Sequence, residues 1–566
     1  MDGRDRSALR LQIPHRQDAR PSAPRRSAAP WALAVFGLLL TFYPTVFSGF
    51  GKLQAVGPDA QMIHYLLEHS FLWLEGRPSH ESLWSPPIFF PHPNTAAYTE
   101  SNLGVAPFYL AWRLLGWQPE TSYQLFLMAL LAANYAAGYG FLRAAFGFAV
   151  LPAACGAFLF AFGNSRVARL PHANLVCHVY IALALLAVAR LYAAVSLAPA
   201  DRDRSVRRWL AVFFAMLVLQ AYAGYYLAFF LGLLLAGVLL GALAFGEYRQ
   251  ALFAILRRHQ WGVAVGLAAG ALALLPLALP YRRALSELGG WRYQDFAATL
   301  PGLDSWFFMG RRNWLYGSWS AADFFAPSVA GLRNINGIGY LTALVCGWGL
   351  WRHRQRAAVR LMVLVALLLI GLAFRFPGGF SLWESVHRWV PGAQGIRSVG
   401  RIGMLLLVPA SVALALALDL MLARRRAWVA AAVMLMVAVE QVNVHDIDDK
   451  TAIRERYTRL ASRVAPACRA FYFCGTFQER RTDLDGDALW IQAASHVPTV
   501  NGRAARRPPG WRLDALRDPE RMAPAAIRSD LEGWLSGKGI DATDVCIVVD
   551  DPRPKRGRRG RTGEDP

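Results

Sequence analysis

Apolar runs of 14 to 22 residues, separated by short polar breaks, recur from residue 31 to residue 444. A helix needs roughly 20 mostly apolar residues to cross a bilayer, and about 17 suffice inside a bundle. The pattern predicts spans at 31–50, 122–142, 148–163, 175–196, 209–222, 224–245, 261–281, 336–351, 359–375, 401–421 and 427–444. The run 101–117, "SNLGVAPFYLAWRLLGW", is short and carries Arg113; it reads as an interfacial helix. From residue 445 the pattern changes. Short β-type runs, "RAFYFC", "ALWIQAA" and "VCIVVD", alternate with charged segments and predict a small extracytoplasmic α/β domain over 445–550.

Arginine placement orients these spans. With the N-terminus inside, the cytoplasmic loops contain Arg143; Arg202, Arg204, Arg207 and Arg208; Arg249, Arg257 and Arg258; "WRHRQRAAVR" at 351–360; and Arg424, Arg425 and Arg426. Every inside loop is then basic, as the positive-inside rule requires. Eleven spans put the C-terminus outside, along with segments 51–121 and 282–335. The ends, 1–30 and 551–566, are arginine-rich and lack long apolar runs, so both read as disordered basic tails.

Composition supports this class. The chain has 566 residues, 55% hydrophobic and 17% charged, which is unlike a soluble domain. Its formal net charge of +22 lies mainly in clusters between apolar runs, a distribution suited to anionic lipid rather than nucleic acid. Six scattered cysteines do not make a disulfide scaffold, and no Cys/His spacing marks a zinc site. A bridge between Cys468 and Cys474 is compatible with an external domain, yet a strand through "CRAFYFC" would hold their Cα atoms roughly 20 Å apart.

Candidate chemistry gathers on the outer face. Asp59, just past the first span in "VGPDAQMIHYLLEHS", is placed to act as a general base, although Gly-Pro-Asp is also ordinary turn chemistry. Glu100, in "YTESNLG", is a second candidate acid and fits a helix cap equally well. His64 and His69 are five positions apart, off the spacing for two metal ligands on one helical face. Arg397 and Arg401, at i, i+4 on the outer side of a span, suit a phosphate or a lipid headgroup. Arg282, beside Arg283, offers the same chemistry. His172 and His178 lie near an outer helix mouth as substrate-facing or packing residues, and Tyr225 and Tyr226 as a cavity wall or an interfacial belt.

Taken in order, Asp59, "FFPHPNTAAYTESNLGVAPFYLAWRLLG" (89–116), "RVARLPHANLVCHVYIALALLAV" (166–188), "YAGYYLAFF" (222–230), "VPGAQGIRSVGRIGMLLL" (390–407) and "HVPTVNG" (496–502) resemble bacterial membrane proteins of the GT-C glycosyltransferase superfamily. The likeness is to groups related to the YfhO-like and ArnT-like enzymes. It implies an all-α polytopic bundle in the bacterial cytoplasmic membrane. It also implies a transferase that takes sugar from a polyprenyl-phosphate carrier and gives it to a glycan, lipid or protein acceptor on the outer face. Asp59 then matches the catalytic acid of the first loop, and Glu100, in a segment shared with the relatives, is a second catalytic candidate. Arg397, Arg401, His172, Tyr225, Tyr226 and Arg282 become the substrate- and phosphate-binding set. The chain departs from the pattern in lacking an Asp-x-Asp or Glu-x-Asp pair in its first two external loops, which argues against a tightly bound divalent metal. A non-catalytic factor for cell-surface polymer assembly, or a lipid transporter, are the alternatives; Pro152 and Pro276 are the residues that would break helices for the latter.

Overall fold

A computed structural model describes residues 27–54, 56–331, 334–475, 484–513 and 524–550. The predicted tails lie outside these residues, apart from 27–30. The chain divides into two compact units: residues up to 63 with 100–448, and residues 64–99 with those from 449 onward. The first external segment is therefore shared between them.

The first unit is a helical bundle. Each of the eleven predicted runs contains a helix. Among the described residues, eight helices are long and apolar enough to span a membrane: Ala29–Phe47, Pro119–Phe146, Val150–Val167, Ala173–Ala194, Pro199–Ala223, Tyr225–Ala244, Gly246–Leu288 and Val399–Ala423. Ala357–Ala373 with Pro377–Trp389, bent by 80°, makes a ninth if the pair counts as one span. Tyr340–Arg352 and Ala427–Glu440, with 13 and 14 residues, fall short of the predicted eleven. At a rise of about 1.5 Å per residue each covers only ~20 Å of a roughly 30 Å hydrocarbon layer.

Burial sorts the helices. Val150–Phe162 and Leu407–Ala423 are buried along most of their length. They approach closely because Gly156 faces the Ser411 carbonyl, where a Cβ would sit 2.6 Å away. Small residues permit such backbone contact between apolar helices. Gly246–Leu288 is the opposite case, presenting Trp261, Val265, Leu272 and Leu279 outward. Its only non-helical residue is His259, just before the predicted span begins at 261. The helix runs on through Pro276, and Pro152 lies in the first turn of its own helix, where the ring is tolerated. Neither proline makes the break that a transporter reading needs. The expected interfacial helix is shorter than its apolar run, Ala106–Leu114, and leaves Leu115 and Trp117 exposed.

The second unit is a small α/β fold. Strands Ala470–Gly475 and Val545–Asp550 pair in parallel, in register from Ala470 with Val545 to Gly475 with Asp550. "HVPTVNG" lies along the first of these strands. Val500 N–H donates to the Phe471 carbonyl at 2.9 Å, and the Asn501 side chain exchanges hydrogen bonds with the Phe473 backbone at 2.7 and 3.1 Å. This motif is therefore part of the sheet scaffold.

One expectation is corrected here, and a cysteine pairing that the sequence left open is decided. "ALWIQAA" is not a strand; it lies in the helix Leu484–Ser495, whose first turn carries Asp485 and Asp487. Acids there favour a helix, and Ala488 through Gln492 are buried without a break, so the run loses the alternation that separates strand from helix. Cys468 is bonded to Cys546, with Cα atoms 5.8 Å apart, while Cys474 is free and buried. Cys468 lies just before the strand that carries Cys474, and the parallel neighbour Val545–Asp550 supplies its partner. Thiol titration under denaturing, non-reducing conditions is expected to find four reactive groups, Cys155, Cys177, Cys346 and Cys474, and six after reduction. Six before reduction would exclude the bridge.

Candidate active site

The site lies in the helical unit and begins with Asp59, in the first turn of the helix Pro58–Leu74. Its carboxylate is 52% exposed, and Oδ2 lies 3.1 Å from Nε2 of His172. His172 stands just before the short helix Ala173–Val176, at the end of a turn that starts at Arg169. Its ring is 30% exposed. Burial holds its pKa below the usual imidazole value, Arg401 and Arg169 push the same way, and Asp59 opposes them. The imidazole is accordingly neutral near pH 7.

Glu100 and Arg401 form the second pair, 3.8 Å apart and with side chains 14% and 16% exposed. Glu100 is not a cap for the helix that follows it. Its carboxylate faces the Tyr225 and Tyr226 amides at the start of the helix Tyr225–Ala244, together with the Asn174 side chain. Oε2 is buried without a hydrogen bond of ordinary geometry. Gly224 makes the approach possible, because a Cβ there would lie 2.6 Å from that oxygen. Burial raises the Glu100 pKa above the ordinary carboxyl value, against the pull of Arg401 and the helix amides.

Basic residues surround both pairs. The Arg401 guanidinium stacks on Tyr226 at 4.6 Å, and the Tyr226 hydroxyl accepts from the Arg397 amide at 3.1 Å. Arg397 stacks on Trp291 at 4.7 Å. The two arginines do not share a helical face, since the 3-10 turn that carries Arg401 begins at Val399, after Arg397. Tyr225 donates to the Gly392 carbonyl at 2.6 Å, tying its helix to the loop that bears both arginines. Arg282 is exposed on Gly246–Leu288, and none of these contacts reaches it.

Sequence reasoning missed Arg169. It is buried, donates to the Ser165 and Ile335 carbonyls, and lies close enough to depress the His172 pKa. Burial lowers its own pKa to about 9, so it stays charged at neutral pH. The available signal was an arginine on the outer side of a span, where topology does not require one, which is the same argument that singled out Arg397 and Arg401.

Other candidates serve packing. His178 is fully buried, with Nδ1 2.6 Å from the Arg166 guanidinium. His64, Glu68 and His69 lie in the core of the second unit, where His64 packs on Trp490 and His69 meets His80 at 2.7 Å. Among the described residues no three His, Cys, Asp or Glu side chains gather as a metal site.

No family model and no curated protein matches the sequence. Solved structures do match. An oligosaccharyltransferase from Archaeoglobus fulgidus in its apo form aligns with a TM-score of 0.50 and 10% identity, over 91% of this chain. A mutant form of the arabinofuranosyltransferase AftD from Mycobacteria aligns with a TM-score of 0.51 and 16% identity, over 87% of this chain. This chain spans 62 to 69% of the archaeal enzyme's length and 34% of the mycobacterial enzyme's. At these identities the likeness shows a shared fold with the two enzymes. The chain is a multi-pass membrane protein whose structural neighbours are membrane glycosyltransferases.

Proposed function

We propose that this protein transfers a sugar from a polyprenyl-phosphate carrier to a glycan, lipid or protein acceptor at the outer face of the bacterial cytoplasmic membrane. The observation that supports this reading best is an accessible carboxylate, Asp59, beside a group of arginines with few acids to neutralise them. Asp59 takes the proton of the acceptor hydroxyl as its oxygen attacks the anomeric carbon. The bond from that carbon to the phosphate oxygen breaks, and its electron pair leaves with the polyprenyl phosphate. Arg397 and Arg401 face the charge that develops there, where a guanidinium fits two phosphate oxygens at once. Tyr225 and Tyr226 form the wall behind them, Glu100 holds Arg401 in place, and Arg282 meets the carrier further out. The N-terminus is cytoplasmic and residues from 445 onward are external, in keeping with the Cys468–Cys546 bridge, which suits an oxidising compartment.

The test is release of free polyprenyl phosphate from a panel of short-chain polyprenyl-phosphate pentoses and hexoses, with the full chain in proteoliposomes. At least one donor is expected to give release above the level of an Asp59→Asn preparation. Absence of both release and binding for every donor would overturn the reading.

A further inference from the structure

We propose that His172 is a positioning residue for Asp59 rather than a phosphate ligand: its Nε2–H donates to the Asp59 carboxylate, holding it ionised and aimed at the acceptor. The inference rests on the glycosyl-transfer reading above. Its geometric basis is the 3.1 Å contact between two side chains from distant parts of the chain, each at the start of a helix that fixes its backbone. The charged groups facing the imidazole are Asp59, Arg169 and Arg401, and Glu100 pairs with Arg401. Two guanidiniums and one carboxylate make a second proton on the ring unfavourable, and the ring's burial acts in the same sense. A neutral ring has one N–H to give and adds no net charge to attract a phosphate.

The neutral form also suits the reaction. An imidazolium would pair so strongly with Asp59 that the carboxylate would be a poorer base, whereas a neutral donor orients it and leaves more of its basicity. Arg169 and Arg401 therefore have a second effect: they keep His172 in the state in which it assists without competing for the proton.

The experiment compares His172→Ala and His172→Gln in the full chain in proteoliposomes, reading kcat/KM against pH and binding of polyprenyl phosphate. A donor to the ionised carboxylate favours the charged form, so its removal raises the pH at which Asp59 becomes protonated. The acid limb of the Ala variant is expected to move up by about 1 pH unit. Its rate above that limb falls by about 10- to 100-fold because the base is no longer aimed. Gln keeps an N–H donor and recovers part of both, and affinity for polyprenyl phosphate is unchanged in either variant. An unmoved acid limb with weakened phosphate binding would overturn the proposal.

A second measurement does not depend on turnover. Nitrogen NMR of histidine-labelled protein, with His172 identified by difference from the Gln variant, is expected to show a neutral ring protonated at Nε2 at pH 7. An imidazolium signal would refute the assignment. If no donor is bound or turned over, the transferase reading fails, and the NMR result still decides whether the pair exists as described.

Discussion

Asp59→Asn is expected to lower sugar transfer by about 100- to 10,000-fold, the usual range for a lost general base, while the protein inserts and folds as before. The substitution isolates the charge. Asn has the shape of Asp, and its carbonyl oxygen still accepts from His172 Nε2–H, so the pair is geometrically preserved. On the proposed mechanism, what disappears is the capacity to take the acceptor's proton. The fold loses little, because Asp59 is half exposed and its other service, an acid in the first turn of Pro58–Leu74, contributes only ~0.3–1 kcal/mol. Asp59→Glu keeps the charge but displaces it by one methylene, away from His172, and is expected to retain more activity than Asn. The measurement is transfer, or the surface glycan it builds, at matched membrane abundance. Full activity in the Asn variant would leave Asp59 as a helix-start residue and nothing more.

Local signals were legible in the sequence and long-range pairings were not. Apolar runs located the bundle's eleven apolar helices, and arginine clusters marked the breaks between them, because lipid sorts apolar and basic residues within one stretch of chain. The run 209–222 is only 14 residues, yet the helix it marks extends from Pro199 to Ala223, since its first turns are charged and invisible to an apolarity criterion. Asp59 was visible by position, but its partner His172 belongs to a different loop, and no local spacing links the two. Glu100 shows the same limit: a cap was foreseen, but for the helix next to it in sequence rather than for Tyr225–Ala244. The spacing of Arg397 and Arg401 misled because i, i+4 implies a shared face only where both residues are helical, and the 3-10 turn starts between them. Cys468 found its partner across a parallel pairing, the kind of contact that a linear pattern carries least.

Glu440→Ala is expected to be the most damaging substitution outside the site, either removing the protein from the membrane or lowering its thermal midpoint in detergent by about 2–5 °C. Glu440 ends the helix Ala427–Glu440 and is fully buried. Both of its oxygens are occupied. Oε1 accepts from the Tyr316 hydroxyl at 2.7 Å and the Leu341 amide at 2.8 Å; Oε2 accepts from the Thr342 amide at 2.8 Å and the Thr342 hydroxyl at 2.7 Å. Those amides open the helix Tyr340–Arg352, whose first-turn N–H groups have no partner within the helix and whose dipole favours a negative charge there. Gly339 completes the fit: its φ of +99° disfavours other residues, and a Cβ would lie 2.5 Å from Oε2. In the Ala variant the two hydroxyls can turn elsewhere, but the two amides, buried at Thr342 and part-buried at Leu341, cannot. Each unsatisfied donor costs about 1–3 kcal/mol, a large share of the ~5–15 kcal/mol that separates folded from unfolded protein. Gln fills the same space and offers one accepting oxygen, but sets its NH2 against the donors on the other side, so Glu440→Gln should fall between Ala and the native residue. Whatever folded Gln protein remains should transfer sugar normally, because Glu440 makes no contact with the Asp59 or Arg401 pairs. A native midpoint in the Ala variant would show that the two amides find other partners and that Glu440 is dispensable to the bundle.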